Sequence, residues 1–232
     1  MTPLIQLTRS RVWTAPHHEL VAARVQFDGA KHLLLRQFLD DDLLTAIQRR
    51  LAVAAFKTRI AHTVRPPAID LKLDDPSLRG ALDLLMSDAV LRAAVEEITG
   101  HRDLEAFAGA VYRIAPGQGH RDSWHDDIDG RRRVAITVNL SEESFEGGEL
   151  QMRQTESERR LWQFANTGRG DALLFAIDPS LQHCIAAMTG SAPKTALAGW
   201  FVRRPRNSQR VKSKGPGNRQ ALSTYGFVKR GS

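Results

Sequence analysis

The sequence predicts an α+β fold, a β sandwich or jelly roll of short strands buttressed by N-terminal helices. Three observations predict it. After Gly100 the chain breaks into short β-type runs at 106–114, 133–140, 148–153, 161–166, 172–177, 183–188 and 195–202, punctuated by Gly, Asn, Asp, Ser and Pro. Before Gly100, apolar residues recur at helical spacing in two stretches. The chain has 232 residues, 42% of them hydrophobic, which suits one sizeable core and leaves little for a second domain.

In order along the chain, the runs LVAARVQF (20–27) and HLLLRQFL (32–39) read as strands. Asp40, Asp41 and Asp42 suit a helix start, and Leu43, Leu44, Ile47 and Leu51 carry its apolar face to about Phe56. Residues 57–74, with Pro66 and Pro67 together, read as irregular. Asp75-Pro76 opens a second helical stretch, a capping residue followed by proline at the first helical position. Its face is Leu78, Ala81, Leu82 and Leu85, then Leu91, Ala94, Val95 and Ile98. A break falls near Ser87-Asp88, and Gly100 is a stop. There is no internal repeat. Residues 1–202 therefore read as a single domain, with 1–104 as helical support and outer strands and 105–202 as the jelly-roll core.

The net charge of +7 belongs to one end. Of the 33 Lys and Arg, nine lie in residues 203–232, where there is no acidic residue; the other 202 residues hold 24 basic and 26 acidic groups, a net of −2. That end is also rich in Gly, Pro, Ser and Asn, which favours a solvated tail. The sharper alternatives are a flap over a site or an arm that attracts an acidic substrate. No aromatic residue interleaves with the basic run before Tyr225, which argues against nucleic acid. No apolar run approaches a membrane span, and the N-terminus lacks the pattern of a secretory signal. The single cysteine, Cys184, excludes an internal disulfide framework and fits a reducing cytoplasm.

Two His-x-Asp pairs stand close together, His120-Arg121-Asp122 and His125-Asp126-Asp127. The first sits in a polar, loop-like stretch. The second lies between Trp124 and Ile128, where strand geometry would turn residues i and i+2 to one side and let His125 and Asp127 meet one ion. Only one histidine follows them, His183, after the turn-like DPSLQ. Two imidazoles and a carboxylate on one face of a metal, with the other positions open, is the donor set of non-haem Fe(II) oxygenases.

The order of motifs from 111 to 202 carries a resemblance. Pro116-Gly117, His125-x-Asp127, RRRVAITVNLS (131–141), FEGGEL (145–150), GRGDALLF (168–175), His183, Lys194 and GWF (199–201) follow one another in the order found in 2-oxoglutarate/Fe(II) oxygenases. The segment most resembles the prolyl 4-hydroxylase-like group. The resemblance implies a double-stranded β-helix core, with His125, Asp127 and His183 as iron ligands and Fe(II), 2-oxoglutarate and O₂ as cofactors. It also places Lys194 at the far carboxylate of 2-oxoglutarate, where a buried dianion needs a counter-charge.

The chain departs from the pattern in two places. Asn139 stands where relatives often carry Tyr, and on strand alternation it shares a face with Ala135 and Thr137; Asn139 and Thr137 are therefore candidate cosubstrate contacts. Ile114 stands at another frequent Tyr position, for which Tyr112, one strand repeat earlier, is the candidate substitute. Candidate substrate-side residues are Trp124, His120, Arg121, Asp122, Arg131 and Trp200, and the loop 57–74 is a candidate lid.

The resemblance implies hydroxylation of an unactivated C–H bond. A retained carboxylate at 127 points away from halogenation and leaves desaturation or cyclisation as other outcomes. The expected substrate is an amino-acid-derived small molecule or natural product, with a peptidyl or protein hydroxylase as the alternative. A non-catalytic jelly-roll protein that binds a metal or ligand is the third reading.

Overall fold

The computed structural model describes residues 2–63 and 66–203. Of the basic segment 203–232, expected to be a tail or flap, Arg203 ends the last strand and 204–232 lie outside the described residues. The chain opens with a hairpin of β1 (Ile5–Leu7) and β2 (Val12–Thr14). The run 20–27 then departs from the sequence expectation: it lies inside helix α1 (His17–Ala30), not a strand. Leu20, Ala23 and Phe27 are buried at spacings of three and four, while Val21 and Val25 between them are 40% and 72% exposed. The short apolar run thus carries a helical period, which strand-like composition alone had masked. Lys31, at a left-handed φ of 63°, ends α1 and turns the chain into β3 (His32–Leu35).

Helix α2 (Asp41–Val53) starts where the Asp triplet predicts. The Asp40 side chain accepts the Leu43 N–H at 2.8 Å, a cap that contributes about 1 kcal/mol. The helix stops at Val53 because Ala54 turns extended. The segment 57–74, expected to be an irregular lid, instead forms most of a hairpin of β4 (Phe56–Ala61) and β5 (Ala68–Leu73), in register from Phe56 opposite Leu73 to Ala61 opposite Ala68. Pro66 and Pro67 mark its turn only; the charged residues Lys57, Arg59, Asp70 and Lys72 had hidden the alternation. Helices α3 (Pro76–Met86) and α4 (Ala89–Thr99) divide at Ser87, with Asp75 and Asp88 capping their N-termini and Gly100, at φ 75°, ending the second.

The strands that follow are β6 (Leu104–Ile114), β7 (Arg132–Asn139), β8 (Leu150–Gln154), β9 (Arg160–Phe164), β10 (Ala172–Ala176), β11 (Leu181–Ile185) and β12 (Lys194–Arg203). The main sheet runs β3-β10-β7-β12-β6-β5-β4, and a smaller one runs β11-β8-β9. Every ladder between the named strands is antiparallel. The two sheets make the jelly-roll core of an α+β fold.

Strand alternation on β7 divides the interior. Val134, Ile136 and Val138 join the larger core that contains Leu44, Met86, Leu91 and Ile98 of the helices. Ala135 points the other way and packs with Leu150, Met152, Leu173, Phe175 and Leu181 between the sheets. The helices therefore back one face of the main sheet and leave its other face to the space between the sheets. Among the described residues no helix is long and apolar enough to cross a membrane.

Candidate active site

Between β6 and β7, both in the main sheet, residues 115–131 reach across to β11 of the smaller sheet, and hydrogen bonds pin this excursion to β5 and β11. His120 Nδ1 accepts the Ala115 N–H at 2.9 Å. Arg121 and Ile69 of β5 exchange backbone hydrogen bonds at 2.8 and 2.9 Å. Asp122 accepts the Ser123 N–H at 2.8 Å and the Ile185 N–H of β11 at 2.9 Å. The first His-x-Asp pair is thus scaffolding that delivers the second.

His125 is held by main chain against His183. The two residues form an antiparallel bridge, His125 N–H to His183 O at 3.0 Å and the reverse at 2.8 Å. Their rings lie 4.3 Å apart, and Phe175 packs edge-on against His183 at 5.0 Å. His125 Nδ1 faces the Ser123 carbonyl at 2.6 Å. Donation there fixes the tautomer and leaves Nε2 as the free donor atom.

Asp127 reaches the pair by a different route from the one the sequence suggests. It is not on a strand; its φ is 63°, in the left-handed region that Asp tolerates better than most residues. The turn carries its carboxylate between the imidazoles, with Oδ1 at 3.6 Å from His125 Nε2 and Oδ2 at 3.2 Å from His183 Nε2. One ligand atom from each of His125, Asp127 and His183 lies within 4.8 Å of the others, close enough to share one ion. Burial pushes the Asp127 carboxyl upward, but the hydrogen bond and charge of His183, with His125 and Trp200, outweigh it and hold the pKa at about 2.

These three residues line a cavity of about 250 Å³ with Thr137, Lys194, Tyr112, Arg121 and Trp200. Lys194 is 6% exposed and donates to the Gly148 carbonyl at 2.6 Å. Among the described residues it forms no ion pair. Burial lowers its pKa to about 8, against the weaker opposing charges of Glu149 and Asp122. A cation so placed calls for an anion in the cavity.

The donor set fits ferrous iron: two imidazoles and a carboxylate, with no thiolate among them. Cys184, next to His183, is buried, and burial lifts its pKa to about 11, so it stays a neutral thiol. The buried Lys194 ammonium fits the distal carboxylate of a 2-oxo diacid.

Three expected contacts lie elsewhere. Asn139 is turned from the cavity: its Nδ2 donates to Gly168 O and its Oδ1 accepts the Ser141 N–H, both at 3.0 Å. Trp124 sits beneath the Arg153 guanidinium at 4.5 Å, and Arg131 is exposed and does not line the cavity. Trp200 does line it, but its one donor, Nε1, is engaged by Asp127 Oδ2 at 2.7 Å.

Sequence reasoning missed Arg132, whose Nη1 lies 3.1 Å from Asp127 Oδ1, and the ion pair of Arg59 with Asp70 in the cavity wall. Arg132 is the middle of three arginines, with nothing local to single it out. Arg59 and Asp70 belong to the hairpin that read as irregular.

No curated protein matches the chain by sequence. Its fold is similar to that of several solved structures. One is an oxidoreductase of the 2OG-Fe(II) oxygenase family from Burkholderia pseudomallei, with TM-score 0.61 and 15% identity, covering 88% of this chain and 97% of that one. A prolyl-4-hydroxylase from Pseudomonas putida gives TM-score 0.53 and 20% identity, covering 80% and 95%. EvdO2 from Micromonospora carbonacea var. aurantiaca, complexed with 2-oxoglutarate, gives 0.52 and 16%, covering 83% and 93%. At these identities the likeness is one of fold. The family model of the 2OG-Fe(II) oxygenase superfamily matches residues 109–202, the span that holds every donor atom described above. Residues 109–202 thus match the 2OG-Fe(II) oxygenase superfamily, and the match implies Fe(II), 2-oxoglutarate and O₂ at the cluster of His125, Asp127 and His183.

Proposed function

We propose that this chain is a 2-oxoglutarate-dependent dioxygenase that hydroxylates an unactivated C–H bond of an amino-acid-derived small molecule. Residues 1–202 would act as one oxygenase unit. The observation that carries the reading is that three metal-ligating atoms within 4.8 Å of one another share a cavity with a buried ammonium that forms no ion pair among the described residues.

His125 Nε2, His183 and the Asp127 carboxylate would hold Fe(II). Bound iron and cosubstrate supply the oxidising chemistry: O₂ is reduced as 2-oxoglutarate loses CO₂ to become succinate, and a C–H bond is hydroxylated. The protein binds and orients. Lys194 would pair with the distal carboxylate, and Tyr112 and Thr137, which line the same cavity, would flank the cosubstrate. Ala135, Leu150 and Phe175 exclude water from its apolar side. Arg59, Asp70 and Arg121 line the rest of the cavity, where the substrate enters. A cavity of about 250 Å³ suits a small cosubstrate and the reacting end of a substrate.

A peptide is the second reading. Strand β4, which carries the cavity-lining Arg59 and Ala61, is an edge of the main sheet, and edge strands accept added strands. Anaerobic loading with Fe(II) and 2-oxoglutarate, then exposure to O₂, tests both. Succinate should form with free amino acids and their derivatives; release stimulated by proline-containing peptides alone would select the second reading. Failure to form succinate with any substrate, or without one, would overturn the oxygenase reading.

A further inference from the structure

The Asp127 carboxylate is held from behind by two side chains on neighbouring strands. Trp200 of β12 donates Nε1–H to Oδ2 at 2.7 Å. Arg132 of β7 donates from Nη1 to Oδ1 at 3.1 Å, and the same nitrogen reaches the Asp127 carbonyl at 3.1 Å. The Arg132 guanidinium lies 3.6 Å above the Trp200 ring, so each donor fixes the other. Asp129 completes the brace: its carboxylate contacts Arg132 Nε at 3.3 Å and accepts the Arg131 and Arg132 N–H groups.

We propose that Trp200 and Arg132 form a stacked clamp that sets the rotation of the Asp127 carboxylate and so orients it as a metal ligand. The inference rests on the metal reading of the site. Asp127 needs such a clamp because its backbone belongs to no strand and holds a left-handed φ of 63°. An ionised carboxylate offers about four lone-pair sites on two oxygens. The clamp takes one on each oxygen, and Oδ1 then faces His125 Nε2 while Oδ2 faces His183 Nε2. Turning the carboxylate about its Cβ–Cγ bond would break both clamp bonds at once. Trp200 and Arg132 are therefore positioning residues, which act on the metal through Asp127.

The test is metal affinity, measured without cosubstrate or turnover. Wild type, Trp200→Phe, Arg132→Met, Arg132→Lys and the double variant Trp200→Phe/Arg132→Met are titrated with Mn(II), followed by electron paramagnetic resonance. Their Co(II) absorption spectra are compared, and thermal midpoints in chelator check folding. Trp200→Phe keeps a ring beneath Arg132 and removes only the N–H. It and Arg132→Met should each lose roughly tenfold to a hundredfold in Mn(II) affinity, the range for residues that orient a ligand, with a changed Co(II) spectrum. Arg132→Lys, which keeps the charge without the flat fork, should fall between. Because the two donors act through one contact, the double variant should lose little more than the weaker single variant. Wild-type affinity and spectrum in folded Trp200→Phe would overturn the clamp and leave the metal reading intact. Failure of wild type to bind Mn(II) or Co(II) would overturn the metal reading and the clamp with it.

Discussion

Lys194 Nζ lies 2.6 Å from the Gly148 carbonyl oxygen, and Gly148 holds a left-handed φ of 64°. A Cβ at Gly148 would come within 2.6 Å of Met188 Sδ and 3.1 Å of Lys194 Cδ. Gly148→Ala therefore displaces the lysine stem on a backbone already unfavourable for alanine. Its dissociation constant for 2-oxoglutarate should rise about tenfold or more, equivalent to about 1.4 kcal/mol, with Mn(II) affinity unchanged. Calorimetric titration of each ligand separates the two effects.

Burial sets the pH at which Lys194 can work. Its free-enzyme pKa of about 8 makes the ammonium available at neutral pH. Affinity for 2-oxoglutarate should be level below that value and fall as pH rises through it, by up to about tenfold per unit. Lys194→Met should bind weakly at every pH. The sign for the ligand-free protein is opposite. The folded pKa lies below the ordinary 10.5, so between about 8 and 10.5 the unfolded chain holds more protons, and folding stability rises with pH across that window. Lys194→Met should accordingly melt higher than wild type at pH 7 without ligand, as calorimetry would show.

The two Asp residues of the His-x-Asp pairs separate by role. Asp127→Ala should abolish Mn(II) binding and succinate formation together. Asp122→Ala leaves all three donor atoms in place but frees the Ser123 and Ile185 N–H groups. It should cost about 1–3 kcal/mol of stability and retain metal binding, with a measurable share of the succinate rate. Equal loss of metal in both variants would reverse these assignments.

Asp171 braces the opposite end of β10. It is 4% exposed, and its carboxylate accepts the Gln37 N–H at 2.7 Å and Arg36 Nη1 at 3.0 Å, holding Gln37 at a left-handed φ of 51°. Asp171→Ala leaves that strained turn without its acceptor and should cost about 2–3 kcal/mol in urea denaturation, with Mn(II) affinity within twofold of wild type.

What could be read from the sequence was what has a local signature. Asp40 and Asp75 cap helices because a short acceptor three residues ahead of an apolar stripe is a local pattern, and the break near Ser87-Asp88 falls where α3 gives way to α4. His125, Asp127 and His183 stand out by residue type and order. Their convergence has a non-local cause, however: a left-handed turn and a two-residue bridge stand where strand alternation was expected. Asn139 shows the limit of alternation from the other side. It falls at the end of β7, where the Gly168 turn captures its amide. Arg132 acquires its role only from Trp200, on a strand distant in the chain, and Arg59 only from Asp70, its partner across a hairpin that read as irregular.

The paired main-chain hydrogen bonds between His125 and His183 give the metal site a frame independent of its imidazoles. Removing one ring, as in His183→Gly, should leave a socket of the right shape instead of a collapsed strand, with Phe175 still forming one wall. Free imidazole added to that variant should restore Mn(II) binding in a saturable way, whereas a bulkier N-substituted imidazole should not. The site would then be a place where the ligand, and with it the reactivity of the bound metal, can be exchanged from solution.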